Sequence, residues 1–244
     1  MGTIVTYTVV AFAFFLLIAK YDIHMFQLSS YRYSRYFRWL VPGNIISQKR
    51  FFAFMMLVPA LVPNYVGVGF ATGITIGAWA IAWREKFKTP LVYTMRVKRL
   101  FATNILLFVA ITALALLLAT EWATVIIAAT LLLSNFLMLL ANLVNTPIEK
   151  TINRHYYNDA KRIIESHKGL IIIGVTGSFG KTSTKNYLAS VLAEKYNVLV
   201  TPGNFNTLLG VIRTIREQLR PYHQVFIVEM GAKQRNDIKE ICDL

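Results

Sequence analysis

The sequence predicts an α-helical transmembrane domain followed by the first part of an α/β P-loop domain with a mostly parallel sheet. Three observations predict this arrangement. Of the 244 residues, 55% are hydrophobic and only 16% are charged, which is typical of membrane proteins rather than soluble ones. The basic residues behind the net charge of +14 flank long apolar runs. A Gly-rich turn, Gly177-Ser-Phe-Gly-Lys-Thr182, follows a short apolar segment.

Four apolar regions define the predicted transmembrane domain, which ends at residue 144. They are Thr3–Ala19, Phe51–Trp83, Leu100–Thr120 and Trp122–Val144. Three of them have the length of one crossing at about 1.5 Å per residue. The second is too long for one crossing and slightly short for two. Pro59, Pro63, Asn64 and Gly67 near its middle favour a turn, so it is predicted to be a short hairpin.

Basic residues on both sides of this second region predict the topology. Segment 20–50 contains six basic residues against Asp22, and segment 84–99 contains six against Glu85. Segments rich in Lys and Arg stay in the cytoplasm, so an even number of crossings separates these two. We therefore predict five crossings, an N-terminus outside and a cytoplasmic P-loop domain. A re-entrant or interfacial segment at 51–83 is the alternative, and it gives the same sidedness.

Two other classes of protein do not fit the sequence. A net charge of +14 suggests nucleic-acid binding in a soluble protein, but no stretch outside the apolar runs interleaves aromatic and basic residues. No nucleic-acid partner is therefore predicted, whereas membrane lipids are. Cys242 is the only cysteine, which excludes an internal disulfide and a cysteine metal cluster.

Residues 145–168 are mixed and charged, and they are predicted to form a linker helix that Gly169 ends. Strands and helices then alternate, as in an α/β domain with a parallel sheet, whose ligands gather at the carboxyl ends of the strands. The predicted elements are a strand at 170–173, a helix at 181–194, a strand at 198–201, a helix at 209–219 and a strand at 224–229. The predicted sheet-facing residues of the first helix are Tyr187, Leu188, Val191 and Leu192.

A strand that feeds a helix through a Gly-rich turn is the usual setting of a phosphate-binding loop. Backbone N–H groups in such a turn, together with the helix N-terminus, bind phosphate oxygens. Lys181 would reach the β- and γ-phosphates of ATP, and the Thr182 hydroxyl would bind Mg²⁺. The strict pattern has a Gly where this chain has Val175, with Gly174 one residue early. An ordinary Gly-rich turn with a solvated lysine is the alternative.

Glu229 ends the last predicted strand. A carboxylate that emerges from a buried strand beside a P-loop is positioned to hold Mg²⁺, directly or through water. A solvated acid at a strand end is the alternative.

The stretch from Thr176 to Lys185 resembles the ATP-binding motif of the Mur ligases, which add amino acids to peptidoglycan precursors in bacteria. Within that family it is most similar to the D-alanyl-D-alanine-adding branch. Two further stretches agree in order and spacing: Thr201–Asn206 with Gly210-Val211, and Val228–Ala232. The resemblance covers about residues 169–244, and it implies the central ATP-binding domain of the family.

The resemblance implies a chemistry in which ATP phosphorylates a carboxylate and an amine attacks the acyl phosphate, giving an amide and ADP. Lys181 and Glu229 would be catalytic, and Thr182 and Glu229 would hold Mg²⁺. Asn204 and Asn206 would face the acyl acceptor, although Thr207 stands where a second Asn is common. The residues implied to bind ATP are Thr176, Gly177, Ser178, Phe179, Gly180, Lys181, Thr182 and Ser183.

Three departures from the family change what is expected. A membrane domain replaces the domain that holds a UDP sugar nucleotide, so the acceptor is expected to be a cell-wall precursor or a lipid-linked one, joined to an amino acid or dipeptide at a bacterial cell membrane. The sequence ends at Leu244, before the family's modified lysine and C-terminal domain. These residues alone are therefore not expected to complete the reaction, and a separate chain is one source of the rest. Phe179 stands where many members have a polar residue.

Two alternative functions stay open at this point. One is a poly-γ-glutamate synthase-like ligase, which the Gly-Ser-x-Gly-Lys-Thr motif disfavours. The other is a nucleotide-binding membrane scaffold without ligase chemistry.

Overall fold

The computed structural model describes residues 2–41, 48–62, 64–84, 87–203, 205–232 and 235–244. The chain divides into two compact units, Met1–Glu149 and Lys150–Leu244. We call them the helical unit and the P-loop unit. Each has hydrophobic clusters of its own.

The described elements of the helical unit are all helical. They are α1 (Gly2–Leu28), α2 (Tyr33–Leu40), α3 (Gln48–Met55), α4 (Leu57–Leu61), α5 (Tyr65–Arg84), α6 (Met95–Leu118), a 3₁₀ turn (Thr120–Trp122), α7 (Ala123–Leu132) and α8 (Ser134–Ser166). Aromatic and aliphatic side chains fill the core between these helices. Phe15 of α1 stacks on Phe108 of α6 with ring centroids 4.1 Å apart, and the buried Tyr7 hydroxyl donates to the Met56 carbonyl at 2.9 Å.

Three described helices, α1, α5 and α6, are long and apolar enough to cross a membrane. The pair α7 and α8 also passes when counted together, but it bends by 74° at the break between them. Length and composition therefore give three or four candidate spans in the described ranges, and the five crossings stay a prediction. Between positions 51 and 83, where a short hairpin was predicted, the structure has the second half of α3, then α4 and α5.

The break between α4 and α5 coincides with the predicted turn. The Gly67 N–H donates to the Asn64 side-chain oxygen at 2.9 Å, which satisfies one of the first N–H groups of α5. A Cβ on Gly67 would collide with the Val62 carbonyl, so the close approach of the two segments requires glycine. Pro63 lies outside the described residues.

The fourth apolar region is not the single straight span that the sequence analysis expected. The helix is interrupted at Leu133. From Ser134, α8 then runs without interruption past Asn145, Thr146 and Pro147, where a change to a separate linker helix was predicted. Two side chains next to the proline bond to carbonyls one turn earlier: Asn145 Nδ2 to Ala141 at 2.9 Å and Thr146 Oγ1 to Asn142 at 2.7 Å. The boundary between the two units falls within this helix.

Polar side chains fill the break between α7 and α8, and we call them the helix-break cluster: Asp22, Tyr36, Arg50, Ser134 and Asn135. All are buried. Ser134 Oγ donates to Asp22 Oδ2 at 2.7 Å. Asn135 Oδ1 accepts from Arg50 Nη2 at 2.7 Å and from the Tyr36 hydroxyl at 3.1 Å. Buried polar groups need such partners because desolvation costs several kcal/mol when they have none.

The described residues of the P-loop unit form a three-stranded parallel sheet in the order β1-β3-β2, which confirms the prediction of a parallel sheet with helices. Its elements beyond α8 are β1 (Ile171–Val175), α9 (Lys181–Ala193), β2 (Val198–Val200), α10 (Leu208–Gln218), β3 (Val225–Glu229) and α11 (Asp237–Cys242). The register pairs Val175 with Glu229, so β1 and β3 end side by side. Every residue of the central strand β3 is buried.

Alternating residues of β3 pack on opposite faces of the sheet. Val225 and Ile227 contact α9, whereas Phe226 and Val228 contact α10. The predicted inner face of α9 is only half right, because Tyr187 and Val191 are 74% and 72% exposed. The residues of α9 that contact the sheet are spaced i, i+3, i+4 and i+7, and the first of them was not predicted to be buried. That stripe is Lys185, Leu188, Ala189 and Leu192.

Candidate nucleotide site

The Gly-rich loop joins the end of β1 to the start of α9. Gly180 has φ 75°, a left-handed conformation that favours glycine, and its carbonyl accepts the Thr184 N–H at 2.8 Å to begin the helix. Gly174 and the buried Val175 belong to β1 and not to the loop, and a Cβ on Gly174 would meet only the flexible end of the Met230 side chain. Residues 176–180 form an exposed turn after the strand.

Lys181 is the first residue of α9, and its ammonium lies over the loop. Nζ donates to the Gly177 carbonyl at 2.6 Å and to the Ser178 carbonyl at 3.5 Å. These contacts hold the charge at the N-terminus of α9, where backbone N–H groups lack helical partners. Phe179 is 96% exposed, so the loop's tip carries an aromatic ring free of the core. The loop thus combines a positive charge, a helix N-terminus and open access.

Glu229 is the centre of a buried polar cluster at the end of β3, and it is 2% exposed. Its Oε2 accepts from Thr182 Oγ1 at 3.0 Å and pairs with Lys185 Nζ at 3.1 Å. Its Oε1 accepts from Asn206 Nδ2 at 3.3 Å. Lys185 Nζ also donates to the Thr201 carbonyl at 2.8 Å. The cluster therefore joins the beginning of α9 to the ends of β2 and β3.

The surroundings of Glu229 keep its carboxyl ionised. Burial alone would raise the pKa of Glu229, but hydrogen bonds from Lys185, Thr182 and Asn206, with the charge of Lys185, outweigh burial. The net shift of its pKa is downward. A carboxylate held ionised in a buried place, next to an open phosphate-type loop, is suited to attract a divalent cation.

Backbone contacts fix the segments that carry this cluster. The Glu229 N–H donates to Thr201 Oγ1 at 2.9 Å, and the Gly231 N–H donates to the Asn206 carbonyl at 2.7 Å. A Cβ on Gly231 would lie 2.8 Å from Asn206 Cγ, so glycine is needed for this approach. These contacts hold segments 201–206 and 228–232 against each other.

The structure brings together most of the predicted site residues. Thr182, Asn206 and Glu229 are in direct contact, and Lys181 lies over the adjacent loop. The side chains of Thr176, Ser178 and Ser183 are exposed in or next to the loop. Asn204 lies outside the described residues. The assignment of these residues to ATP, acceptor or metal stays a prediction.

Lys185 is the member of the Glu229 cluster that the sequence analysis missed. It is 2% exposed and is the only lysine among the buried residues of the described chain. A signal was present, because Lys185 begins the i, i+3, i+4, i+7 stripe whose other members are apolar. A lysine on the inner face of a helix needs a buried acid, and Glu229 is that acid.

The donor set fits Mg²⁺ rather than a transition metal. The described residues contain no group of three or more His, Cys, Asp and Glu side chains that could hold a metal. Mg²⁺ keeps several waters and binds one or two carboxylates together with substrate phosphates. Thr182 and Glu229, with oxygens 3.0 Å apart, supply a hydroxyl and a carboxylate of that kind.

Residues 175–244 match the family model described as the Mur ligase middle domain. Three similar proteins are named UDP-N-acetylmuramoyl-tripeptide–D-alanyl-D-alanine ligase. They come from Synechocystis sp. (47% identity over 73 residues), Treponema pallidum (37% over 75) and Bacillus subtilis (39% over 70). The resemblance to Mur ligases is therefore confirmed for the P-loop unit.

The matches cover a small part of each protein. They include 30%, 31% and 29% of this chain, and 16%, 16% and 15% of the three relatives respectively. The chain thus spans about one sixth of the length of the relatives that it matches, and the matches leave the helical unit uncovered. No solved structure matches the chain significantly.

Proposed function

We propose that the P-loop unit binds ATP for a membrane-anchored amide ligase of peptidoglycan precursor synthesis. The observation that carries this proposal is the contact of Thr182, Lys185 and Asn206 with Glu229 next to an open Gly-rich loop. The match of residues 175–244 to the Mur ligase middle domain supports the same function.

Different groups of the site have different roles in phosphate binding. Backbone N–H groups of residues 177–182 donate to phosphate oxygens, and the Lys181 ammonium exchanges the Gly177 carbonyl for the β- and γ-phosphates. Lys185 keeps Glu229 ionised and fixed in position. Thr182 and Glu229 would hold Mg²⁺, which supplies positive charge against the phosphates when bound.

The proposed reaction has two steps that need no covalent bond to the protein. A carboxylate oxygen of the acceptor attacks the γ-phosphorus of ATP, and ADP leaves. The amine of an amino acid or dipeptide then attacks the carbonyl carbon of the acyl phosphate, and inorganic phosphate leaves. Positioning and positive charge are the main means of catalysis in phosphoryl transfer, and the loop and Lys181 provide both.

The acceptor is proposed to be a peptidoglycan precursor, soluble or lipid-linked, that reaches the P-loop unit at the cytoplasmic face of a bacterial membrane. Three or four candidate spans in the described chain support an anchored enzyme. The relatives' name supplies the first acceptor and amine to test, the UDP-muramoyl tripeptide and D-alanyl-D-alanine.

Release of ADP by membranes that contain the protein at its natural level tests this function. We expect release that depends on Mg²⁺, on UDP-N-acetylmuramoyl-tripeptide and on D-alanyl-D-alanine, and that is lost in Lys181→Ala. Lys195→Ala is the matched control, because Lys195 is an exposed lysine just beyond the opposite end of α9. Its membranes should release ADP at the wild-type rate.

Two outcomes would replace the proposal. Release of ADP with glutamate as the only acceptor would favour the poly-γ-glutamate synthase-like function. Binding of ATP without any consumption, with soluble and lipid-linked precursors alike, would favour the scaffold.

A further inference from the structure

The helical unit carries a groove between α1, α5 and the segment that follows α5. Two adjoining depressions of about 460 and 560 Å³ form it. Trp79 and Trp83 of α5 line both depressions, so the two depressions share a wall, and we call them together the groove. The Trp79 indole also donates to the Ala13 carbonyl of α1 at 3.4 Å, which ties the two walls together.

The groove is apolar at one end and basic at the other. Ala13, Ile76 and Ala80 line the apolar end. Towards the other end, Lys20 lines the first depression and Arg84 lines the second, and both side chains are exposed. No Asp or Glu lines either depression within the described part of the chain. The groove is therefore complementary to an amphiphile with a negative head.

The dimensions agree with one lipid chain. Ile76 and Arg84 are eight positions apart on α5, which corresponds to about 12 Å along a helix. One leaflet of the hydrocarbon core is about 15 Å thick. Trp83 is 89% exposed, and tryptophan favours the level of lipid headgroups. Lys20 and Arg84 belong to the two segments predicted to be cytoplasmic, so the basic end corresponds to the inner leaflet.

The basic end of the groove is held in shape by the protein itself. His24 is 4% exposed, and its Nε2 bonds to the Thr89 carbonyl at 2.9 Å. Gln27 makes two hydrogen bonds to the backbone of Val92, at 2.8 and 3.0 Å. These contacts fix the segment 87–93 against α1, so that a headgroup meets a formed pocket instead of a loose loop.

We infer that this groove binds one anionic phospholipid, with an acyl chain along α5 and its phosphate against Lys20 and Arg84. The inference is independent of the ligase reaction, since it uses only residues of the helical unit. Bulk lipid would also fill an apolar groove, but it would show no preference for headgroup charge. Selectivity for the anionic headgroup therefore separates the two cases.

Quenching of tryptophan fluorescence by brominated lipids tests the inference. The chain has four tryptophans, and a Trp39→Phe/Trp122→Phe background leaves Trp79 and Trp83, both in the groove, as reporters. This protein would be reconstituted in phosphatidylcholine vesicles that contain either brominated phosphatidylglycerol or brominated phosphatidylcholine. We expect the anionic lipid to quench with about fivefold or greater relative affinity, since each basic residue near an anionic surface contributes about that factor.

Two double variants test whether the preference for anionic lipid depends on Lys20 and Arg84. Lys20→Gln/Arg84→Gln should bring the relative affinity close to one. Arg38→Gln/Lys98→Gln removes the same two charges from exposed positions outside the groove and should keep the preference. If the first variant does not fold, salt on the unsubstituted protein gives the same answer, because screening should lower the preference. Equal quenching by both lipids, a preference insensitive to salt, or equal loss in both double variants would overturn the inference.

Discussion

The P-loop unit and the helical unit both bury charged side chains, but they do so in different surroundings. In the P-loop unit, Glu229 and Lys185 meet where parallel strands end next to a helix N-terminus. In the helical unit, Arg50 and Asn135 meet at a break between two apolar helices. The first pair lies beside an exposed loop that can receive a ligand. The second has neighbours that are themselves buried, and its hydrogen bonds join helices.

The difference teaches that burial of a charge does not by itself indicate a functional site. Glu229 is a candidate because it and its partners come from the three motif segments and because the loop beside it is open. The hydrogen bonds of the helix-break cluster join side chains of α1, α2 and α3 to Ser134 and Asn135 at the start of α8, and among the described residues the cluster lies next to no exposed loop of the Gly-rich kind. We expect changes in the first cluster to affect ligand binding and stability, and changes in the second to affect stability alone.

The largest expected effect is that of Glu229→Ala. It leaves the Lys185 ammonium buried without its acid, which costs about 3 to 5 kcal/mol. Amide hydrogen exchange in β1 and β3 of the whole chain measures the corresponding fall in opening free energy. The double variant Lys185→Met/Glu229→Leu should recover most of that loss and still fail to bind ATP with Mg²⁺. If Glu229→Ala alone left the opening free energy unchanged, the buried pair would not stabilise the sheet.

Asn135→Ala should have the next largest effect, about 2 to 3 kcal/mol, because Arg50 and Tyr36 both lose their acceptor in a buried place. Thermal unfolding of the detergent-solubilised chain checks this expectation. Leu133→Ala is the control at the same break, since its side chain is 51% exposed. ATP binding should be unchanged in both variants, and a change in ATP affinity would contradict the distinction between the two clusters.

Acid should weaken the P-loop unit through Glu229. Its pKa is lowered in the folded protein, so the carboxylate stabilises the fold above its ordinary pKa, and this contribution is lost as pH falls through the lower folded value. Exchange of β3 amides, corrected for intrinsic rates, should show constant stability from neutral pH down to about pH 5 and a decline below about pH 4. Glu229→Gln should show a smaller decline over that range.

The smallest expected effect comes from an exposed ion pair. Arg213 and Glu217 of α10 pair at 2.9 Å with side chains 60% and 54% exposed. Glu217→Gln should therefore cost no more than about 0.5 kcal/mol. The same exchange experiment checks this. If Glu217→Gln lowered the opening free energy as much as Glu229→Ala does, burial would not determine how much an ion pair contributes to stability.

The sequence predicted the P-loop unit better than the helical unit, and the reason is physical. Local patterns placed Thr182 and Glu229 at the same edge of a parallel sheet, and the pairing of β1 with β3 brings them into contact. Lys185 was missed because its role depends on the rotation of α9 about its axis, which left Tyr187 and Val191 exposed. Packing against the sheet sets that rotation, and the hydrophobic pattern of the sequence alone did not predict it.

In the helical unit the patterns identified apolar runs but not their breaks. Pro147 marked a change of composition, yet α8 continues through it, and the chain bends at Leu133, where no proline or glycine stands. Asp22 and Arg50 counted as flanking charges in the sequence and are 1% and 7% exposed in the structure. Contacts between residues distant in sequence decide both features, and a single sequence carries little information about them.

The affinity of the chain for ATP, measured by calorimetry with Mg²⁺ on wild type, Lys181→Ala and Lys195→Ala, tests the central claim most directly. Lys181 contributes a charge-assisted contact to phosphate, so its removal should weaken binding by about 1.5 to 3 kcal/mol, or roughly 10- to 150-fold. Lys195→Ala should bind as the wild type does. Equal affinity of all three proteins, or no binding by the wild type, would contradict a phosphate-binding loop at residues 176–182.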